Sequence, residues 1–144
     1  MKKVLYVIPV ILVIVVGAMI FRNHKQVENQ DADIICKNSM TTGSANSCDY
    51  DIKVVLNRKS IEDMETCAEE IVSRFRENHI PGMLFSFDQK PPTTLRCTVY
   101  TSEDDLKNGK VAFGFICECE DAITEGYNIL NHYDKYHIEV NESN

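Results

Sequence analysis

Residues 4–21 (VLYVIPVILVIVVGAMIF) form one apolar run without a charge or a strongly polar group. As an α-helix these 18 residues rise about 27 Å, close to the ~30 Å hydrocarbon core of a bilayer. Pro9 and Gly17 are both tolerated in membrane helices. Lys2 and Lys3 precede the run, and Arg22, His24 and Lys25 follow it. The pattern predicts a transmembrane signal anchor at 4–21 with residues 1–3 in the cytoplasm. The alternative is a secretory signal cut near Val16-Gly17-Ala18. Such signals carry an apolar stretch of only about 7–15 residues, whereas this run continues through Met19, Ile20 and Phe21. Anchoring is the expectation, and secretion after cleavage the alternative.

Residues 22–48 are polar, rich in Asn, Ser, Thr and Asp, and show no sustained periodicity. They read as a stalk, in which Ile34-Ile35-Cys36 is the one apolar spot able to dock as a short edge segment. From Tyr50 the pattern becomes regular, and residues 49–140 read as one folded domain with a tail at 141–144. Ile52, Val54 and Leu56 alternate with Asp51, Lys53 and Val55, as in a half-buried strand. Ile61, Met64, Cys67, Ala68, Ile71, Val72 and Phe75 recur at helical spacing. With Ser60 as cap, acidic residues first, Arg74 and Arg76 last and Pro81-Gly82 beyond, they predict a helix over 61–78.

Alternation then predicts strands on Met83, Phe85 and Phe87, on Leu95, Cys97 and Val99, and on Val111, Phe113, Phe115, Cys117 and Cys119. A capped helical turn is expected at 102–109, a helix over 121–133, and a closing strand on Tyr136, Ile138 and Val140. One apolar face per strand and one stripe per helix pack most simply in two layers. The expected fold is an α+β two-layer sandwich. Its antiparallel-rich sheet of four or five strands carries one or two helices on one face, behind the single N-terminal transmembrane helix.

Charge narrows the partners. The first 25 residues hold four of the 15 basic residues and none of the 22 acidic ones, leaving a net charge of −11 on the other 119. Nucleic acid, which needs clustered Lys and Arg, is not an expected partner. A basic protein surface is, alongside the membrane at 4–21.

The chain has six cysteines: Cys36, Cys48, Cys67, Cys97, Cys117 and Cys119. That density suits an oxidising compartment and places the domain outside the cytoplasm. All six are disulfide candidates. The inward faces of helix and strands favour a bridge from Cys67 to Cys97, Cys117 or Cys119, with a local Cys36–Cys48 loop beside it.

Cys117-Glu118-Cys119 followed by His132 and His137 nearly has the spacing of a Cys₂His₂ zinc site. A single residue between the two Cys gives no metal knuckle, however, so neither metal nor cofactor is expected. The same Cys117-x-Cys119 pair lacks the spacing and helix N-terminus of a redox dithiol. Glu69-Glu70, Asp104-Asp105 and Glu120-Asp121 are adjacent carboxylates, not the converging pair that acid–base catalysis uses. Phosphate-binding glycine loops and hydrolase motifs are absent. The reading is a membrane-anchored extracytoplasmic interaction or accessory domain with no catalytic constellation. Its alternative is a small exported enzyme or thiol- or metal-active protein working around Cys117, Cys119 and His132.

Overall fold

The structure, a computed structural model, describes residues 32–83, 87 and 90–142. The expected anchor at 4–21, its cleavage site and stalk residues 22–31 lie outside the described residues. Among those described, no helix is long and apolar enough to cross a membrane.

The folded unit starts at Asp33 and contains β1 (Ile35–Gly43), β2 (Cys48–Val55), α1 (Met64–Arg76), β3 (Thr94–Tyr100), α2 (Glu103–Lys107), β4 (Phe113–Glu118), α3 (Ala122–Glu125) and β5 (His137–Glu142). The strands form one mixed sheet in the order β1-β2-β3-β4-β5. β2 and β3 run parallel, joined by the crossover through α1, and the other three pairings are antiparallel. Thr93 fixes the start of the parallel pair. Its hydroxyl accepts from the Cys48 amide at 2.8 Å, and its amide donates to the Cys48 carbonyl at 2.8 Å.

The fold is α+β as expected, with four differences in detail. β1 occupies ground assigned to the stalk. Only its first two residues are buried, because an edge strand exposed over most of its length needs backbone pairing rather than an apolar rhythm. The Ile34–Cys36 spot does dock at the edge, where the Cys36 amide donates to the Pro81 carbonyl at 2.8 Å. The strand expected around Met83 and Phe87 falls largely on residues outside those described. Met83 and Phe87 themselves lie outside any strand.

Helix α1 begins at Met64, capped by Asp63 and not by Ser60: the Asp63 carboxylate accepts from the Thr66 amide at 3.1 Å. It ends before Pro81, where Asn78 turns left-handed at φ 56°. Asn78 N–H then bonds Phe75 C=O at 3.0 Å and His79 N–H bonds Arg74 C=O at 2.8 Å, the paired bonds of a Schellman stop. The helix expected over 121–133 is only the four-residue α3, because Gly126 ends it in the left-handed region at φ 72°.

The core lies between α1 and one face of the sheet. Cys67, Ala68, Ile71, Val72 and Phe75 from the helix meet Tyr50, Ile52, Val54, Leu95, Cys97, Val99, Phe113, Phe115 and Cys117. On the opposite face the described residues cover only one end. There Ile35, Val55 and Tyr100 lie in register and are buried beside α2, which a Lys37–Glu103 ion pair ties to β1. The chain enters the unit through a four-charge clasp. Arg58 and Arg74 each reach both Asp33 and Glu70, at 2.8–2.9 Å.

Candidate functional site: the open face of the sheet

Side chains alternate across a sheet, so the residues between the core positions point away from α1. They are Asp49, Asp51 and Lys53 on β2, Arg96 and Thr98 on β3, Gly114, Ile116 and Glu118 on β4, and His137, Glu139 and Asn141 on β5. With Asn38 and Met40 of β1, the middle of this set surrounds a concavity of about 530 Å³. Gly114 on β4 lines the hollow without placing a side chain in it. An added Cβ there would meet only the Cys97 carbonyl at 3.5 Å, an ordinary contact, so packing does not demand glycine.

The lining is mixed. Met40 is 55% exposed and Ile116 half-buried. Lys53 is exposed, and Arg96 reaches Asp49 at 3.3 Å. Such a surface can hold an extended or irregular partner through charge and hydrogen bonding over β2 and β3 and apolar contact with Met40 and Ile116 on either side. It offers no paired acid and base in a desolvated cleft.

The residues singled out from sequence fall elsewhere. Cys117 points into the core and is fully buried, whereas His137 sits on the outer face opposite Glu118. The sheet itself separates them. Burial pushes the Cys117 thiol up to about 12, with Arg76 pulling the other way, so it stays protonated at neutral pH and is a poor nucleophile. Cys119 follows the end of β4 and is half-buried. His132 accepts from the Asn128 amide at 3.4 Å and lies 5.0 Å from the Tyr127 ring. Among the described residues, no group of three His, Cys, Asp or Glu side chains is placed to hold a metal ion.

The carboxylates also have structural partners. Asp105 accepts from Ser102 and Thr101 at the start of α2, and these bonds hold its carboxyl below its ordinary value. Glu70 belongs to the clasp.

All six cysteines are unbridged in this structure, and all but Cys119 are buried. Cys36 donates to the Asn38 carbonyl at 3.2 Å. Cys48 lies beside Tyr50, whose hydroxyl burial and the neighbouring Cys48 push up to about 12.

Comparison of the chain with known protein families, with curated proteins and with solved structures finds no match. The open face itself was not picked out from sequence. Its signal was present in the polar members of each alternation and in a glycine set between Phe113 and Phe115.

Proposed function

We propose that this chain is a membrane-anchored interaction or accessory domain held outside the cytoplasm, and that the hollow open face of its sheet is where a partner docks. The observation that carries the reading is the asymmetry of the sheet. Among the described residues, one face is filled by α1, while the other is left uncovered around Gly114, with Met40 exposed on the edge strand β1.

The partner is a protein with a basic surface. Supporting this, the chain beyond residue 25 carries a net −11, and the open face sets Asp49, Asp51, Glu118 and Glu139 against only Lys53 and Arg96. With Arg96 engaged by Asp49, the rim presents more carboxylate than cation. Complementary charge of this kind raises association rates and discriminates between partners. Nothing about Cys117 or His132 favours the thiol- or metal-active alternative.

The test places a photo-activated crosslinking residue at Thr98, in the hollow, or at Glu69, on the exposed side of α1. A discrete adduct from Thr98 but not Glu69, weakened at high salt and removed by protease added to intact cells, is the expected result. Adducts from both positions alike, or none from Thr98, would overturn the docking face; an adduct spared by external protease would overturn the location.

A further inference from the structure

We propose that the open face takes the carboxyl end of a partner's extended, basic segment, with the terminal carboxylate over Gly114 beside Lys53; this rests on the docking face inferred above. The register across the strands carries it. Asn38, Lys53, Thr98, Gly114 and Asn141 are successive Cα partners from β1 to β5, so they form one row across the sheet. All five line the hollow of about 530 Å³. The row holds one ammonium, two side-chain amides, one hydroxyl and a glycine that leaves room between them. It contains no carboxylate, and each of its four polar side chains can donate a hydrogen bond. Among the described residues no carboxylate pairs with Lys53, whereas Arg96 is engaged by Asp49 at 3.3 Å. A carboxylate, which carries one negative charge and only accepts, is the group this row fits.

The neighbouring rows give the ligand a direction. Met40, Asp51, Arg96, Ile116 and Glu139 make the next row, and Asp49 and Glu118 lie two residues further along β2 and β4. Carboxylates therefore accumulate on the side away from Lys53. On its other side Ile35, Val55 and Tyr100 are in register and buried beside α2. An extended chain lying along the strands meets that covered end just past Lys53, so it must finish or turn there.

Finishing there with the carboxyl end satisfies both halves of the face. The terminal anion meets the row of donors, and Lys or Arg side chains upstream meet Asp51, Glu139, Asp49 and Glu118. The reverse direction would set a terminal ammonium against Lys53 and leave the donors without an acceptor. Three rows two residues apart span roughly 13 Å, or about five residues of extended chain. The basic partner is thereby narrowed to one with a free, basic C-terminal segment.

The experiment holds the full-length chain in phosphatidylcholine nanodiscs and follows fluorescence anisotropy of three N-terminally labelled hexapeptides, with empty nanodiscs as baseline. The first is Lys-Val-Lys-Val-Lys-Val with a free carboxylate, the second its C-terminal amide, and the third the amide with Glu in place of the last Val. The free acid should bind roughly fivefold more tightly than either amide, the scale of one half-exposed charge contact. Lys53→Met should reduce the acid to the level of its amide, and Glu69→Gln on α1 should change nothing. Acid and amide that bind alike, a preference that survives Lys53→Met, or no binding of the acid at about 1 mM would overturn the proposal. A Glu amide that binds as tightly as the acid would overturn the chain terminus as the ligand. If acid and amide bind alike while Thr98 still crosslinks its partner, the carboxylate site falls and the docking face stands. If Thr98 yields no adduct, the docking face falls whatever the peptides do, and this inference falls with it.

Discussion

Replacing Phe75 with Ala tests the packing between helix and sheet at its most connected point. Phe75 closes the last turn of α1 with no exposed surface. Its ring meets Tyr50 edge-on at 5.6 Å and Phe87 at 5.1 Å, and Tyr50 and Phe87 meet at 5.7 Å, so three rings from α1, β2 and the segment before β3 form a triangle. Truncating a buried Phe to Ala costs about 3–5 kcal/mol, the lost transfer energy plus the cavity left behind. Part of that is the two aromatic pairs, at roughly 0.5–1.5 kcal/mol each. Phe75→Leu keeps most of the apolar volume and should lose about 1–3 kcal/mol, mainly those pairs. A domain with roughly 5–15 kcal/mol in hand would survive the Leu change and could be largely unfolded by Ala. The assay is urea unfolding followed by far-UV circular dichroism, since the chain has no Trp to report. An unchanged m-value would assign the loss to stability alone. An Ala variant losing under about 1 kcal/mol, or a Leu variant losing as much as Ala, would show that the three rings do not pack in this way.

Gly114→Ala should leave urea stability unchanged or raise it by up to about 1 kcal/mol, because glycine is entropically costly within a strand, and should reduce crosslinking from Thr98. A clear loss of stability would mean that the backbone needs glycine there. Partial burial raises the Asp33 carboxyl, but hydrogen bonds and charge from Arg58 and Arg74 outweigh it and hold the group below its ordinary 3.8. The native state therefore binds this proton more weakly than the unfolded chain, and its stabilising effect is full above about pH 4 and fades below it. Asp33→Asn should cost less than about 1 kcal/mol at neutral pH, as the clasp is half-exposed, and acid titration should show a shallower decline than wild type. A parallel decline would remove Asp33 from the acid response. Cys117, held protonated in the core, should resist iodoacetamide in the folded protein and react on unfolding; native labelling at that site would contradict its burial.

Much of the fold was legible because its elements carry strong patterns. The stripe from Cys67 to Phe75 marked α1, and strict alternation marked β2, β3, β4 and β5. β1 escaped because seven of its nine residues lie outside the core, leaving backbone hydrogen bonds with little trace in composition. The start of α1 was set too early because Ser60 and Asp63 are both good caps, and only geometry shows which carboxylate or hydroxyl reaches the Thr66 amide. The helix after Cys119 is shorter than its apolar spacing predicts because Gly126, in the left-handed region, stops it. The site was less legible still. Cysteines and histidines stand out in a sequence by their chemistry, whereas the open face is built from ordinary polar residues whose meaning depends on strand order.

The bare face follows from the connections between strands. Only β2 and β3 are parallel, so only one link requires a long crossover, and its helix α1 covers one side. The antiparallel links need little chain, and the helices they hold, α2 and α3, have five and four residues. Helices that short cover at most one end of the second face, as the buried Val55 and Tyr100 beside α2 illustrate. A half-covered sheet is stable in water when its outward positions are polar, and Asp51, Lys53, Arg96, Thr98, Glu139 and Asn141 meet that condition. Met40, Gly114 and Ile116 break it, and all three line the hollow. Departures from local consistency that packing does not require concentrate where function overrides stability. Their clustering on the one face the topology leaves open is the physical reason to look for the partner there.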